Sequence, residues 1–185
     1  MYIDLTLKIN RQMLTEAMLM KNEALVGHVG THFDVMNKDF PLDYTERAAI
    51  VFDVSSVTDR DIGVEDIDLS AVKKDMFVAF YNGFHRKIEY GEAGYFGNHP
   101  QLTVELIDAL LDKGVSVIGI DFAGVRRTPE HIPTDQRCAD KGVFVIENLR
   151  NLEKILSITN CFTACTYPLY CDGITGLPCR VVAKI

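Results

Sequence analysis

The sequence predicts an α/β fold, because apolar runs typical of strands alternate along the chain with segments of helical periodicity. The clearest helix covers residues 103–113, where Thr103 can cap the first turn and Gly114 can end the last. Directly after it, residues 115–120 form an apolar run typical of a buried strand. A chain of 185 residues can bury a sizeable core, so we expect a single domain over residues 1–185.

The other elements follow from apolar runs bounded by glycine, proline or polar residues. Strands are predicted over residues 2–8, 27–35, 48–54, 76–81, 115–120, 143–146 and 181–185. Helices are predicted over residues 11–23, 103–113 and 149–157. Methionines in the first of these helices are expected to pack against the core or a partner. Residues 124–140 carry prolines and charges without periodicity, which predicts a long loop of the kind that is often functional.

Composition and charge narrow the classes of partner. The net charge of -7 and the lack of a clustered basic surface argue against binding to nucleic acid. No apolar run approaches the length of a membrane span, and the N-terminus does not resemble a signal peptide. The five cysteines contain no CxxC pair and are expected to be reduced thiols. We therefore expect a cytoplasmic protein that acts on a small-molecule substrate and binds no membrane.

The run Gly-His-Val-Gly-Thr-His-Phe-Asp at residues 27–34 contains two of the five histidines and a carboxylate. Imidazole and carboxylate are ligands for divalent ions such as zinc or manganese. Because His28, His32 and Asp34 fall at even positions, a strand would place all three on one face. A straight strand would hold the two histidine Cα atoms about 13 Å apart, so the backbone must bend, and Gly30 is where it can. An ordinary strand with polar residues facing solvent is the alternative for this run taken alone.

The run also resembles the signature H-x-G-T-H-x-D-x-P-x-H of the cyclase and kynurenine formamidase family of metal-dependent hydrolases. The matching positions are His28, Gly30, Thr31, His32 and Asp34. Two positions depart from the signature. Met36 stands in place of its proline, and Lys38 in place of its last histidine.

Later segments extend the resemblance over nearly the full chain. Asn98-His99-Pro100-Gln101-Leu102 is similar to the family's H-P-G-L segment, residues 119–121 to its G-I-D, and residues 145–149 to its I-I-E-N-L. Residues 167–183 resemble its closing pattern of proline, glycine and arginine. The resemblance implies the family's single-domain swivelling β/β/α fold, with a central mixed sheet flanked by helices, and assembly as a homodimer or homotetramer.

The resemblance further implies a ligand set. In family members with two metals, the histidines and aspartate of the signature bind one ion and the aspartate bridges to a second. A later histidine and the glutamate of I-I-E-N-L complete the second site. Glu147 matches that glutamate, but the histidine position is Asp135 here, with His131 four residues before it. One or two divalent ions, zinc or manganese, are therefore implied at the metal ligands His28, His32, Asp34, Asp135 and Glu147. Whether His131 or Asp135 is the ligand stays open, and an oxygen ligand would favour manganese or magnesium.

The chemistry depends on position 38. In the formamidases this position supplies a histidine that can shuttle a proton, whereas a lysine stays protonated unless its pKa is strongly lowered. Lys38 can still stabilise an oxyanion and is the candidate catalytic residue; a surface lysine beside Asp39 is the alternative. The function implied is metal-dependent hydrolysis of a small amide, either a formamide, as in arylformamidase, or a cyclic amide. The alternative is a metal-binding or ligand-sensing relative without catalysis, because Met36, Lys38 and Asp135 replace family residues.

Overall fold

A computed structural model describes residues 1–19 and 26–185 of the chain. It confirms the mixed α/β class. The strands are β1 Tyr2–Asp4, β2 His32–Asp34, β3 Glu46–Asp53, β4 Phe77–Tyr81, β5 Val117–Ile120, β6 Phe144–Glu147, β7 Cys161–Pro168 and β8 Gly176–Lys184. The α-helices are α1 Arg11–Leu19, α2 Tyr95–Asn98, α3 Val104–Lys113, α4 His131–Asp140 and α5 Leu152–Leu156.

The strands form one sheet that closes on itself, in the order β1-β8-β2-β6-β5-β4-β3-β7 with a further pairing of β8 to β7. Within the part of the chain that the structure describes, β2 to β8 thus make a closed seven-stranded barrel. Strands β3 to β6 run parallel to one another, while β2, β7 and β8 pair antiparallel with their neighbours. The sheet is therefore mixed, as predicted, and it closes into a barrel. Closure gives hydrogen-bonding partners to the backbone N–H and C=O groups that an open sheet leaves unpaired at its edge strands.

Strand β8 makes this closure possible. It is nine residues long, and one of its edges pairs with β7 through residues 179–184. Its other edge pairs first with β2, through residues 176–178, and then with β1, through residues 182–184. The sequence prediction covered only residues 181–185 of this strand and missed β7 altogether. Both strands mix apolar residues with cysteine and proline, and β7 also contains two threonines, which weakens the periodic signal.

Two predicted elements around the histidine run are shorter than expected. The strand predicted over residues 27–35 is reduced to β2, because Gly27 and Gly30 have φ angles of 93° and 77° and place the preceding segment in turns. The bend predicted at Gly30 is therefore confirmed. A Cβ atom at Gly27 would lie 1.9 Å from the carbonyl oxygen of Gly176, so this position requires glycine. The first strand covers Tyr2–Asp4 instead of residues 2–8.

The loop predicted over residues 124–140 is wrong in its second half, where the chain forms α4. Pro133 lies in the first turn of this helix, where proline is tolerated because the backbone N–H has no partner within the helix. The buried face consists of Thr134, Asp135, Cys138 and Ala139, half of which are polar. The apolar period that reveals a helix in the sequence is therefore absent.

Two apolar clusters form the core on the two faces of the sheet. Along β4, Val78 and Phe80 pack into the cluster beneath α3, while Phe77 and Ala79 pack into the cluster that also contains the apolar residues of β8. Helix α1 contributes no buried residue, and Met18 is 80% exposed, so the expected core packing of its methionines is not seen. Residues 20–23 of the predicted first helix lie outside the described residues. Among the described helices, none is long and apolar enough to cross a membrane.

Candidate metal centre

The candidate site lies where β2, β6 and α4 meet. In the antiparallel ladder of β2 and β6, His32 is directly opposite Glu147. Directly opposed residues point to the same face of a sheet, and here His32 Nε2 lies 3.6 Å from Glu147 Oε2. Asp34 lies two residues along β2 and shares that face. The sheet register therefore brings together residues that are more than a hundred positions apart in the sequence.

Three ligand atoms converge from the histidine run. His28 Nδ1 lies 3.2 Å from His32 Nε2 and 3.1 Å from Asp34 Oδ1, and His32 Nε2 lies 3.5 Å from the same oxygen. Ligands of a tetrahedral zinc ion, bound at about 2.1 Å, are separated from one another by about 3.4 Å. The three atoms are thus spaced as the ligands of one small divalent ion would be. His32 and Asp34 are each 2% exposed, whereas the edge of His28 reaches solvent.

Hydrogen bonds on the far side of each imidazole orient the nitrogen that faces the cluster. His32 Nδ1 lies 2.9 Å from the carbonyl oxygen of Gly30, and since a carbonyl only accepts, Nδ1 carries the proton. The lone pair of His32 Nε2 is therefore free to bind a cation. His28 Nε2 lies 2.9 Å from Thr175 Oγ1, which leaves Nδ1 as its ligand atom. Partners of this kind fix the tautomer and the ring orientation of metal-binding histidines.

A further hydrogen-bonded layer supports these partners. Asn148 Nδ2 donates to the Gly30 carbonyl oxygen at 3.0 Å, and the Tyr95 hydroxyl donates to Asn148 Oδ1 at 2.8 Å. Thr31 Oγ1 donates to the Asn148 carbonyl oxygen at 2.9 Å. The sequence analysis missed the roles of Asn148, Tyr95 and Thr175. The available signal was an asparagine directly after Glu147, since asparagine tolerates the left-handed backbone that Asn148 adopts at φ 60°.

Helix α4 brings His131 and Asp135 to the same cluster. The two residues are one helical turn apart, and His131 Nε2 lies 3.0 Å from Asp135 Oδ2 and 3.3 Å from Glu147 Oε1. Asp34, His131 and Asp135 each offer one ligand atom, all within 4.8 Å of one another. The sequence analysis treated His131 and Asp135 as alternatives because it took this segment for a loop. On a helix both residues can face the cluster, because residues four positions apart lie on the same face.

One oxygen on each carboxylate of the cluster lacks a well-aligned hydrogen bond from the described residues. Asp34 Oδ2, Asp135 Oδ1 and Glu147 Oε1 are buried and receive no well-aligned hydrogen bond from any residue that the structure describes. Each of these residues is at most 4% exposed. Burying a carboxylate without a partner is costly, and a cation is the partner that such a group accepts. Imidazole nitrogen with carboxylate oxygen is a donor set suited to zinc or manganese, so the residues fit a divalent ion.

Mutual electrostatics shift the pKa values of these groups. Burial acts to lower the pKa of His32, but the charges of Asp34 and Glu147 prevail and raise it to about 9. Burial likewise opposes protonation of His131, whose pKa the carboxylates of Asp135 and Glu147 raise to about 11. Burial raises the pKa of Asp135 to about 7, with the charge of Asp34 acting in the same direction. Without a bound cation, protons on His32 and His131 therefore balance the negative charge of the carboxylates.

Lys38 lies on the turn that follows β2 and lines a neighbouring cavity. Its Nζ pairs with Asp140 Oδ1 at 2.7 Å, and its side chain is 39% exposed. Met36 in the same turn has φ 56°, a value that the proline of the family signature cannot adopt. The backbone N–H of Lys38 donates to the Val35 carbonyl oxygen at 3.0 Å and closes the turn. Lys38 thus lies in a turn whose backbone conformation at Met36 excludes proline.

Two cavities adjoin the metal set. One of about 690 Å³ is lined by the turn at Met36 and Lys38 and by the segment leading into β8, including Thr175. The other, of about 560 Å³, is lined by His28 itself, Tyr90, Phe96 and residues of α1. His28 lines the second cavity, whereas the first reaches Thr175, whose Oγ1 lies 2.9 Å from His28 Nε2. A small molecule can therefore approach the cluster from the side of His28.

A closed mixed barrel with a buried cluster of imidazole and carboxylate groups defines a protein with a candidate metal site. Residues 3–126 match the family model described as "Putative cyclase", and the chain therefore belongs to the cyclase family. The matched span includes His28, His32 and Asp34, while the residues supplied by α4 and β6 lie beyond it.

Solved structures share the fold. The chain is similar to a potential metal-dependent hydrolase with cyclase activity, at 24% identity and a TM-score of 0.74, covering 99% of this chain and 98% of that one. A predicted metal-dependent hydrolase from Bacillus stearothermophilus gives 23% identity and a TM-score of 0.74, covering 99% and 97%. Isatin hydrolase A from Labrenzia aggregata gives 19% identity and a TM-score of 0.70, covering 85% and 73%. Among curated proteins, no sequence matches this chain.

Proposed function

We propose that this protein is a metal-dependent hydrolase of a small amide, either a formamide or a cyclic amide. The observation that carries the proposal is the convergence of His28 Nδ1, His32 Nε2 and Asp34 Oδ1 within 3.5 Å of one another. Membership of the cyclase family supports it, as does the shared fold with an isatin hydrolase. The two cavities beside His28 provide room for a substrate of modest size.

A divalent ion bound in this set supplies Lewis-acid activation of a carbonyl group and of water near neutral pH. The chain supplies the orientation. Thr175 and the Gly30 carbonyl hold the two imidazoles with their ligand nitrogens inward, and Asp34 adds a negative charge that raises the affinity for a cation. Burial of His32 and Asp34 limits competing water, which strengthens each electrostatic interaction in the site.

The test is a hydrolysis assay on protein loaded with zinc or manganese, using N-formylkynurenine, isatin and simple cyclic amides as substrates. We expect metal-dependent turnover that falls about 100-fold or more in the variants His32→Ala and Asp34→Asn, together with loss of bound metal. His85→Gln is the matched control, because His85 lies beside Asp121 and outside the metal set. It should keep both metal and turnover. Full activity in His32→Ala, or a wild-type protein that binds no metal, would contradict the proposal.

A second candidate function is a metal-binding or ligand-sensing relative that has lost catalysis. The departures from the signature at Met36 and Lys38 favour it, because Met36 adopts a backbone conformation closed to proline and Lys38 stands in place of the last signature histidine. The same assay separates the two candidates. Stoichiometric metal in the wild type without turnover of any amide on the panel would support this second function.

For the reaction itself, we propose that Lys38 acts as a cation at the cavity rim and not as a proton acceptor. Its Nζ forms an ion pair with Asp140 Oδ1 at 2.7 Å. Lys38 and Thr175 line the same cavity, so a substrate bound there meets both the ammonium group of Lys38 and the Thr175 side chain that contacts His28. A fixed positive charge at this point would stabilise a developing oxyanion.

Replacing Lys38 tests this role. Lys38→Met should lower kcat about 10- to 100-fold with bound metal unchanged, because only the charge is removed. Lys38→Arg, which keeps the charge, should retain most of the activity. The readout is steady-state kinetics on the best substrate found above. Equal kcat in the Met variant and the wild type would show that Lys38 serves only as a surface partner of Asp140.

A further inference from the structure

The start of β8 holds the His28 imidazole in one orientation. A Cβ atom on Gly176 would lie 2.7 Å from Cδ2 and Nε2 of that ring and 2.8 Å from its Cε1, so the ring lies directly against the backbone at this glycine. In this position Nδ1 lies 3.1 Å from Asp34 Oδ1, and Nε2 lies 2.9 Å from Thr175 Oγ1. The two ring nitrogens therefore face different partners, one among the candidate ligands and one outside them.

A proton count on His28 decides what the Thr175 hydroxyl group can do. A neutral imidazole carries one proton on its two nitrogens. When a cation occupies the lone pair of Nδ1, the proton is on Nε2, which then donates to Thr175 Oγ1. The hydroxyl hydrogen of Thr175 is then free to be donated elsewhere, because Oγ1 makes no other hydrogen bond with any residue that the structure describes.

Without a cation, the same two groups can bond in the opposite direction. A proton on His28 Nδ1 then pairs with Asp34, and Nε2 accepts a hydrogen bond from the Thr175 hydroxyl group. A cation at Nδ1 therefore releases the Thr175 hydroxyl group as a donor.

The cavity beside Thr175 suits an acyl ligand. Thr175 is exposed and lines the cavity of about 690 Å³ together with Lys38. Both side chains can donate hydrogen bonds, while Tyr167 and Leu169 supply aromatic and apolar surface. Amide hydrolysis begins at a carbonyl oxygen and leaves a carboxylate, and both of these groups accept hydrogen bonds.

We propose that Thr175 is a ligand-contacting residue, whose hydroxyl group donates to a carbonyl or carboxylate oxygen bound in this cavity when a cation is present. The inference rests on the proposed function in one respect, because it requires a cation at the first ligand set, which consists of His28, His32 and Asp34. It gives Thr175 a role beyond holding the imidazole of His28, namely direct contact with the substrate and with the carboxylate product.

Benzoate tests this contact without turnover, because it joins a carboxylate to an apolar ring and is not an amide. Protein saturated with Zn²⁺ is titrated with benzoate by isothermal titration calorimetry, and elemental analysis confirms the zinc content. Thr175→Val, which removes the hydroxyl group at similar volume, should weaken benzoate binding about 10-fold or more, because hydrogen bonds to a carboxylate are strong ones. Thr175→Ser keeps the hydroxyl group and should bind benzoate about as tightly as the wild type.

Thr45→Val is the matched control, because it makes the same change on the wall of the same cavity. Thr45 Oγ1 donates to the Leu42 carbonyl oxygen at 2.8 Å, so its hydrogen is already used within the protein. This variant should leave the affinity for benzoate unchanged. An equal loss of affinity in Thr45→Val and Thr175→Val would overturn the specific contact.

Metal affinity separates contact with a ligand from orientation of His28. If Thr175 only orients the imidazole, Thr175→Val weakens the binding of Zn²⁺ but leaves the benzoate affinity of the zinc-saturated protein unchanged. That outcome would overturn the proposal. In metal-free protein, the difference in benzoate binding between the wild type and Thr175→Val should be absent, because the hydroxyl group then donates to His28. A difference of the same size without metal would overturn the release of the hydroxyl group by the cation.

The remaining outcomes distinguish this inference from the proposed function. No binding of benzoate to the zinc-loaded wild type would overturn the contact and leave the proposed hydrolase standing. Weakened benzoate binding in Thr175→Val, with no turnover of any amide on the panel, would support the contact and overturn the hydrolase. A wild type that binds no zinc or manganese would overturn both.

Discussion

At the scale of single residues, His99 shows how this fold treats a histidine outside the metal centre. It is 1% exposed, stacks on Phe122 at 5.8 Å between ring centroids, and its Nδ1 donates to the Pro100 carbonyl oxygen at 2.7 Å. Burial lowers the pKa of His99 to about 4, and the nearby charges of His131 and Arg127 act in the same direction. The imidazole is therefore neutral in the folded protein at neutral pH.

This lowered pKa predicts an acid-dependent loss of stability. The unfolded chain takes up a proton near pH 6.5 and the folded protein only near pH 4, so the contribution is present above pH 6.5 and is lost as pH falls between these values. Between pH 7.5 and pH 5 the loss should be about 2 kcal/mol. His99→Asn keeps a donor for Pro100 but does not titrate, so its free energy of unfolding should fall by that much less. Urea denaturation at both pH values measures the difference; equal falls in both proteins would contradict the prediction.

Gly119 illustrates a constraint of a different kind, set by packing. A Cβ atom at this position on β5 would lie 2.7 Å from Phe77 Cε1 and 2.8 Å from Leu149 Cδ1. Gly119→Ala should therefore cost about 1–3 kcal/mol in the free energy of unfolding, because the buried neighbours must shift. Gly97→Ala is the control, since nothing lies within 4 Å of the added methyl group there. Thermal denaturation of both variants checks this, and equal stabilities would show that the interior adapts freely.

At the scale of elements, α3 shows a helix whose ends were predicted from the sequence. Thr103 Oγ1 accepts a hydrogen bond from the Leu106 backbone N–H at 3.1 Å, and Gly114 ends the helix in a left-handed conformation at φ 66°. Its apolar stripe packs on the sheet through Leu106, Ile107 and Leu110. The capping residues and the apolar stripe favour the same helix, so the sequence alone was enough to predict α3.

Removing the cap of α3 should have a measurable cost. Thr103→Ala leaves the Leu106 N–H without its acceptor and should lower the free energy of unfolding by about 1 kcal/mol. Thr103→Ser retains the oxygen and should stay close to the wild type. Urea denaturation at neutral pH compares the three proteins. A Ser variant as unstable as the Ala variant would show that the methyl group of Thr103, not its hydroxyl, supports the helix.

Helix α4 shows the opposite case. Its inward face carries Thr134 and Asp135 beside Cys138 and Ala139, so polar residues occupy positions that apolar ones fill in α3. A periodicity argument detects apolar stripes only, and it therefore assigned a loop. The same polar residues are what make the helix part of the site. A helix that the sequence pattern did not reveal thus carries two of the candidate ligands, His131 and Asp135.

At the scale of the whole molecule, the candidate metal site exists only in the folded chain. The metal set joins β2, β6 and α4, and the His28 side chain is tied to the segment before β8 through Thr175. Unfolding separates these elements and removes the site. A ligand that binds only the folded protein at a hundred times its Kd adds about 2.7 kcal/mol of stability.

Removal of metal should therefore lower the melting temperature. For a chain of this size we expect a fall of roughly 5–10 °C on treatment with a chelator, reversed by added Zn²⁺ or Mn²⁺. His32→Ala should respond to neither treatment, since the first ligand set is broken. Differential scanning fluorimetry measures both. A wild-type melting temperature that does not change on chelation would contradict the coupling.

Assembly as a homodimer or homotetramer and a cytoplasmic location stay predictions. Light scattering on the purified protein tests the state of assembly.

The sequence by itself predicted the α/β class, the capped helix α3 and the bend at Gly30, and its family resemblance named His28, His32, Asp34 and Glu147 as candidate ligands. These depend on local spacing and on residue chemistry, which a linear pattern records. Only the tertiary structure decided that the sheet closes through β8, that α4 exists, and that His131 and Asp135 face the cluster together. Closure depends on which distant strands pair, and the face of α4 is set by what packs against it. Neither is a property of neighbouring residues, so neither leaves a period in the sequence.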